Sequence, residues 1–326
     1  MSSSASNPQS KSISVQAIVF AEILLAVAAL LFFLLFSVPD PGQARPDWYS
    51  YGASAFEIIA FFSAAWLCFR NWNSPQIVSG RRVWLGIGLG MLCYGIGTIL
   101  FTFWETYLGR EADVSLGDFF YVPTYLFLSW GMIMAFADRR LNLDLWQWVT
   151  VGAIAAVSIA FATWLTLKPD TPNALFFEQP AIAQTAPVQT PRSTPRATVS
   201  PTVRPSPKVT PSLKPAPVVE EKKIEEPVKV DNAPEWVKLV EETLAPLKPF
   251  LDYFYVLADV FILIIATTLL FAFWGGRFSQ SWRMIAAAAF CLYIADMWFK
   301  YATTRLENYQ SGGLVEIFWI FSGVLF

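Results

Sequence analysis

Runs of about 20 apolar residues, separated by short polar segments, dominate the pattern of hydrophobic and polar positions along the chain. Each complete run is long enough to cross a hydrocarbon core of roughly 30 Å as an α-helix. The pattern therefore predicts an all-α integral membrane protein with about eight transmembrane helices. The runs lie at 17–37, 54–72, 83–104, 117–136, 146–167, 251–274 and 282–300, and an eighth begins at Leu314.

The eighth run is shorter than the others, because it reaches Phe326 after only 13 residues. As a helix it would extend roughly 20 Å, which does not cross the bilayer. A terminal carboxylate inside the hydrocarbon region would be costly. We therefore expect the natural polypeptide to continue past Phe326.

Two segments of the chain, 84–128 and 282–326, match each other without a gap at a constant offset of 198, with nine identical positions. Acidic positions are aligned in addition to apolar ones. This predicts two parallel four-helix repeats, related by an axis along the membrane normal. The acidic pairs that the repeats place equivalently are Asp118/Glu316 and, at an offset of 202, Glu57/Asp259.

A proline-rich insertion separates the repeats, since 16 of the 22 prolines lie within 168–249. Such a segment has too few large apolar residues to build a core. The predicted parts are a disordered cytoplasmic N-terminus at 1–16, the first repeat plus the opening span of the second at 17–167, a disordered linker at 168–234, an amphipathic interfacial helix at 235–249, and the last three spans at 250–326, the final one incomplete.

The positions of Lys and Arg predict the orientation. By the positive-inside rule the connections rich in arginine face the cytoplasm. By alternation the N-terminus is cytoplasmic and the proline-rich linker extracytoplasmic, in the plasma (inner) membrane of the cell. The arginines that set this orientation are Arg70, Arg81, Arg82, Arg139, Arg140, Arg277 and Arg283.

The residue types needed for most chemistry are sparse. The chain has no His, and Cys68, Cys93 and Cys291 fall within apolar runs without metal-ligand spacing, so we expect buried small residues and neither a metal site nor a disulfide. The glycines near 86–97 are typical of close helix packing. The composition indicates no enzyme, no cofactor and no nucleic-acid partner.

Acidic residues within or beside the apolar runs are the candidates for a functional site, because a carboxylate in the bilayer is expensive and faces protein or water. For Glu57 and Asp259 an interhelical hydrogen bond and a polar ligand or proton site remain equal alternatives. For the residues at span ends the alternative is a helix cap. The intramembrane candidates are Glu57, Asp259, Asp296 and Lys300, with Lys300 one turn from Asp296 and able to neutralise it; the interfacial candidates are Glu105, Asp118, Tyr121 and Glu316.

One stretch carries a family resemblance. It runs from Trp84-Leu85-Gly86 through Cys93-Tyr94-Gly95-Ile96-Gly97 and Glu105 to Ser115-Leu116-Gly117-Asp118-Phe119-Phe120-Tyr121. It resembles the multi-span N-terminal membrane regions of bacterial and archaeal sensor histidine kinases and diguanylate cyclases. The first copy lacks the Asp of that pattern at Thr98, and the second lacks the Gly at Ala295. The resemblance implies a membrane input region coupled to a cytoplasmic output domain.

The sequence thus favours an integral membrane input or sensor module, the N-terminal part of a longer signalling protein. The alternatives are a small transporter, with a polar path between the repeats, and a membrane scaffold that uses its proline-rich arm. The expected partners are the lipid bilayer, a cytoplasmic output domain or protein, and a second copy of the chain in a homodimer.

Overall fold

The computed structural model describes residues 14–39, 45–74, 80–110, 114–137, 143–166, 234–274, 279–306 and 309–326. Within these ranges the chain is helical and has no strand. The helices are α1 (Val15–Phe36), α2 (Asp47–Asn73), α3 (Arg81–Thr102), α4 (Asp118–Ala137), α5 (Leu145–Thr166), α6 (Glu235–Leu244), α7 (Lys248–Ala272), α8 (Ser279–Arg305) and α9 (Ile317–Leu325).

Seven helical segments in the described part of the chain are long and apolar enough to cross a membrane, with α6 and α7 forming one segment. The prediction of a multi-span helical membrane protein is confirmed at that level. The apolar run from Leu314 forms a shorter helix, Leu314–Leu325, which opens with a 3₁₀ turn. Large apolar side chains on α1 and α5 are exposed, as a lipid-facing surface requires; they include Val19, Phe20, Leu24, Val149 and Val157.

Helix boundaries differ from the sequence predictions at two places. The helix α1 begins at Val15, inside the segment predicted as disordered, because the Ser14 hydroxyl accepts a hydrogen bond from the Ala17 N–H (3.2 Å) and caps the first turn. The helix α2 begins at Asp47, seven residues before the apolar run. The ring of Tyr49 stacks on Phe32 of α1 there, so tertiary contact extends the helix beyond its apolar centre.

Two of the predicted parts fall outside the described residues. These are the N-terminal residues up to 13 and the proline-rich linker up to 233. The amphipathic segment after the linker is helical over Glu235–Leu244, and a 3₁₀ turn containing Pro246 joins it to α7. Val237 and Leu244 are buried, and Glu241 pairs with Arg110. Its location at the membrane surface stays a prediction.

Six helices form a closed ring in which each contacts the next, in the order α2, α3, α4, α7, α8, α9 and back to α2. The helix α1 packs outside the ring against α2 and α9, and α5 packs outside against α7 and α8. Two contacts, α4 with α7 and α9 with α2, therefore join the N-terminal part of the ring to the C-terminal part.

Glycines on α3 allow its close approach to both neighbours, as the sequence predicts. A Cβ atom at Gly86 would lie 2.5 Å from Cα of Gly131 on α4. One at Gly95 would lie 2.9 Å from the Phe62 ring on α2. The three cysteines are free. Cys68 is buried, as expected, whereas Cys93 and Cys291 are only half-buried.

One end of the ring is filled by a continuous apolar core. Its members come from the second half of α2, α4 and α7 and from the first half of α3 and α8. Large apolar side chains close this end, and no charged side chain is among the members of this core. The fully or nearly fully buried ones include Phe61, Ile87, Met91, Leu128, Met132, Ile262, Leu269, Trp282, Ile285 and Leu292.

Candidate functional site

The other end of the ring encloses a cavity of about 150 Å³. It is bordered by α2, α3, α4, α7 and α8, by α9 and by the loop that precedes α9. Seven carboxyl groups line it against one ammonium group, that of Lys300. The acidic residues are Glu57, Glu105, Asp118, Asp252, Asp259, Asp296 and Glu316.

All eight residues that the sequence singles out line this one cavity. The intramembrane set and the interfacial set, which the sequence treats as separate, are therefore parts of one site. Glu57 lies ten residues into α2 and Asp259 eleven residues into α7. At 1.5 Å per residue they lie roughly 15–17 Å from the helix ends, about half the thickness of a hydrocarbon core. The interfacial set surrounds the mouth, which we call the Glu105 end.

Asp296 on α8 is held by two neutral donors, one on each carboxylate oxygen. The Tyr125 hydroxyl of α4 donates to Oδ2 (2.6 Å) and the Trp319 Nε1–H of α9 donates to Oδ1 (2.6 Å). The side chain thus joins α8 to α4 and α9. Hydrogen bonds of neutral donors to a carboxylate are stronger than those between neutral groups.

Glu57 on α2 is held in a related way, because Thr98 of α3 donates its hydroxyl to Oε1 of Glu57 (3.0 Å). Tyr121 of α4 lies 3.5 Å from the Thr98 hydroxyl. At the offsets read from the sequence, Thr98 corresponds to Asp296 and Tyr121 to Trp319. A chain of three polar side chains on α2, α3 and α4 therefore recurs on α7, α8 and α9, with Asp296 where the first chain has a threonine hydroxyl.

That difference leaves Asp259, the counterpart of Glu57, without a donor. The residue is 2% exposed, and neither carboxylate oxygen accepts a hydrogen bond from any residue that the structure describes. The side chains of Asp296 and Tyr125 lie beside Asp259. The hydroxyl proton of Tyr125 is directed to Asp296, so Asp259 gains a partner in Asp296 only when one of the two acids carries a proton. A buried polar group without a partner carries a large desolvation cost.

At the mouth, Asp118 and Glu316 cap the helices that follow them. Asp118 accepts a hydrogen bond from the Ser115 N–H (2.7 Å), and Glu316 accepts one from the Gly313 N–H (3.0 Å), so both bond three residues back. Each also accepts a tyrosine hydroxyl, from Tyr255 for Asp118 (2.5 Å) and from Tyr309 for Glu316. The helix-cap alternative therefore describes this pair, although both side chains also line the cavity.

The i+4 spacing predicts that Lys300 neutralises Asp296, but the structure shows a different partner. Its ammonium nitrogen lies 2.6 Å from a carboxylate oxygen of Asp252 on α7. Asp296 instead faces α4 and α9, where its two donors lie. The ion pair joins α7 to α8 near the mouth, with side chains 19% exposed for Lys300 and 34% for Asp252.

The loop before α9 borders the mouth. Two residues hold it in place, one just before α2 and one in the first turn of α2. Arg45 donates to the carbonyl oxygens of Ser37 (3.1 Å) and Ser311 (3.0 Å). The buried Tyr49 donates to the Gly312 carbonyl (2.8 Å). Gly312 has a φ of 102°, which favours glycine. Burial and the adjacent Glu316 carboxylate raise the pKa of Tyr309 in this loop, so its phenol stays a donor at neutral pH.

Several cavity residues were not predicted, namely Asp252, Tyr255, Tyr125, Thr98 and Trp319. Asp252, Tyr255 and Asp259 follow each other on α7 at intervals of three and four, which places them on one helix face. That spacing is a signal the sequence contains. A second unpredicted feature is the π-helical turn Phe103–Tyr107 at the end of α3, which carries Glu105 into the cavity wall; such turns are frequent at functional sites.

The arrangement can bind a positively charged or hydrogen-bond-donating group, and its walls are aromatic. Tyr94, Tyr121 and Tyr125 border it on one side, and Phe101 and Phe299 meet edge to face with ring centroids 6.2 Å apart. No group of three or more potential metal ligands converges among the described residues.

In comparisons with known proteins, no family model, no curated protein and no solved structure matches this chain. Its function is therefore argued from the cavity itself.

Proposed function

We propose that the chain is the membrane-embedded input module of a signalling protein, and that the acid-lined cavity is where its stimulus, a small ligand, binds. The observation that carries this proposal is that the cavity is confined to one end of the ring. The lining residues lie toward the Glu105 end, and the apolar core fills the other; Tyr94 and Tyr125 lie where the two meet and belong to both. A ligand can therefore enter and leave at the same end, which suits detection better than passage.

The two halves of the ring are the parts that a ligand would move. We propose that they arose by duplication of a four-helix unit, with α1–α4 as one copy and α5, α7, α8 and α9 as the other. The offsets exchange the α2–α9 contact with the α7–α4 contact. Phe101 meets its own counterpart Phe299, as residues near a two-fold axis do. The helix α5 departs from the pattern. The contact of α1 with α9 corresponds to a contact of α5 with α4, but α5 packs against α8.

The coupling would run through Asp296, because this side chain is bonded to both halves. Tyr125 lies on the N-terminal half, and Trp319 lies on α9 of the C-terminal half. A ligand that competes for the carboxylate changes the contact of α8 with α4 and its contact with α9 at once, and α9 transmits the change to an output domain or partner in the cytoplasm. The positive-inside orientation puts the Glu105 end outside the cytoplasm.

A transporter is the second candidate, because its substrate sites also lie near the midplane between repeats. It requires a path that opens to both sides. The helices of the ring have no interruptions at equivalent positions, since Pro123 in α4 and the π turn after α3 have no counterparts among the described residues of α8 and α9.

Side-specific labelling of cavity cysteines tests the proposal. In a chain with Cys68, Cys93 and Cys291 changed to alanine, Ser54→Cys places a thiol in the cavity wall, and Ser50→Cys places one nearer the mouth. A small charged methanethiosulfonate that cannot cross membranes is applied to right-side-out and to inverted vesicles. Ser54→Cys should react only from the extracytoplasmic side, as Ser50→Cys does.

The control is Ala64→Cys, on the same helix but in the apolar core, which should react from neither side. Labelling of Ser54→Cys from both sides would overturn the input-module proposal in favour of a transporter. Labelling from the cytoplasmic side alone would overturn the proposed orientation of the site.

A further inference from the structure

We propose that the cavity binds a small primary ammonium ion, whose charged group sits against Asp259 and whose carbon skeleton lies between the aromatic walls. This inference rests on the proposed function, because it names the class of ligand for the same site. It starts from the one cavity carboxylate that lacks a donor.

Six of the seven cavity carboxyl groups already have a hydrogen-bond donor within the described residues. Lys300 serves Asp252, and neutral hydroxyl, indole or backbone N–H groups serve the others. Asp259 has none, although it is 2% exposed and lines the cavity. In its ionised form Asp259 therefore requires a donor from outside the described residues, and an ammonium group supplies both the donors and the compensating charge.

The number of open acceptor positions distinguishes between ammonium ions. Both oxygens of Asp259 are buried and accept no hydrogen bond from the described residues, whereas both oxygens of Asp296 accept one, from Tyr125 and Trp319. A primary ammonium has three N–H bonds and can serve both open oxygens. A quaternary ammonium has no N–H bond and would leave them unserved, so it should bind more weakly in spite of equal charge.

The walls and the volume limit the rest of the ligand. Tyrosine and phenylalanine rings attract cations and accept apolar groups. A cavity of about 150 Å³ is roughly the size that holds a benzene molecule. Coordination of a bare metal ion is disfavoured, since no three ligating residues converge in the described part of the chain.

A primary ammonium could come from a free amine or from an ethanolamine lipid headgroup. The headgroup also carries a phosphate, which would lie beside the acidic residues at the mouth, Glu105, Asp118 and Glu316. The phosphate and these carboxylates carry charges of the same sign, so they would repel each other. The lining therefore favours a free amine.

The test measures binding of benzylammonium to the full chain in phosphatidylglycerol nanodiscs by titration calorimetry. Benzyl alcohol and benzyltrimethylammonium are the matched probes without charge and without N–H bonds. We expect benzylammonium to bind at least about tenfold more tightly than either probe, because charge-assisted hydrogen bonds are worth one or more factors of ten. Equal affinity for benzylammonium and benzyl alcohol would overturn the inference.

Variants place the ligand within the cavity. Asp259→Asn should weaken benzylammonium binding by about tenfold or more, whereas the matched change Asp47→Asn, at the exposed start of α2 and outside the cavity lining, should change it by less than about threefold. Asp296→Thr provides the donor that Thr98 provides to Glu57, so it should also abolish binding while the protein stays folded. Wild-type affinity in both Asp259→Asn and Asp296→Thr would contradict the proposed position.

Two further arms separate the sources and the proposals. If nanodiscs containing phosphatidylethanolamine suppress benzylammonium binding, the site takes a primary ammonium from the lipid; if they do not, it takes the free amine. If benzylammonium fails to bind while Ser54→Cys still reacts from one side only, the ammonium inference is wrong and the input-module proposal stands. If benzylammonium binds but Ser54→Cys reacts from both sides, the input-module proposal is wrong and the ammonium inference stands.

Discussion

The crossing of α3 and α4 permits a test whose magnitude follows from the geometry. A Cβ atom added at Gly86 would lie 2.5 Å from Cα and 2.7 Å from N of Gly131. Both are backbone atoms, so no side-chain rotation can relieve the contact. The substitution Gly86→Ala must therefore separate the two helices along their interface.

The expected cost combines two opposing effects. Overpacking of a tight interface costs about 1–3 kcal/mol, and replacement of a helical glycine by alanine returns up to about 1 kcal/mol of helix propensity. We expect Gly86→Ala to lower the free energy of unfolding by about 1–2 kcal/mol. The matched control is Gly152→Ala on α5, where an added Cβ meets nothing within 4 Å, and it should be neutral or slightly stabilising.

The assay is equilibrium unfolding in mixed micelles with a rising fraction of denaturing detergent, followed by circular dichroism. Both variants and the unmodified chain are compared under the same micelle composition. If Gly86→Ala unfolds at the same detergent fraction as Gly152→Ala, the close approach of α3 and α4 is wrong, and with it the position of Thr98 and Tyr121 on either side of the cavity.

Three further tests examine the contacts around the cavity by the same unfolding assay. Tyr49→Phe removes the buried hydrogen bond to Gly312 (2.8 Å) and should cost about 1 kcal/mol, while Tyr51→Phe, at an exposed position two residues on, should cost nothing measurable. Trp319→Phe removes a donor from Asp296 and should cost about 1.5–3 kcal/mol, with the exposed Trp148→Phe as control; equal stability of the two would show that the indole does not serve the carboxylate. A double-mutant cycle on Lys300→Met and Asp252→Asn should give a coupling of about 0.2–1 kcal/mol, since Asp252 is partly solvated; zero coupling would argue against the ion pair.

The helices could be predicted from the sequence because the bilayer demands long apolar segments. The predictions that failed concern helix ends and local turns, which depend on individual contacts. The early start of α2 depends on Tyr49 against Phe32, and the π turn at Phe103–Tyr107 breaks no rule of hydrophobicity. Neither feature changes the pattern of apolar runs, so neither could be predicted from that pattern.

The acids could be predicted as unusual residues, because each is costly where it lies. That they meet in one cavity could not, since convergence depends on how six helices close into a ring. Lys300 shows the limit well. Its spacing to Asp296 indicates a partner on its own helix, but the nearer carboxylate in space is that of Asp252 on α7. A polar face on α7, with Asp252, Tyr255 and Asp259 at helical spacing, was readable and would have improved the prediction.

The helix α9 has a mechanical property that follows from Gly323. At this position α9 touches α2 without a side chain of its own, and an added Cβ would lie 3.0 Å from the Cβ of Ala60 and 3.2 Å from its carbonyl carbon. One turn earlier, about 6 Å along the axis, Trp319 reaches the carboxylate of Asp296. The backbone contact with α2 and the bond to the cavity carboxylate are thus one turn apart on α9. A displacement of the indole inside the cavity therefore acts on α9 next to its tightest described contact with α2.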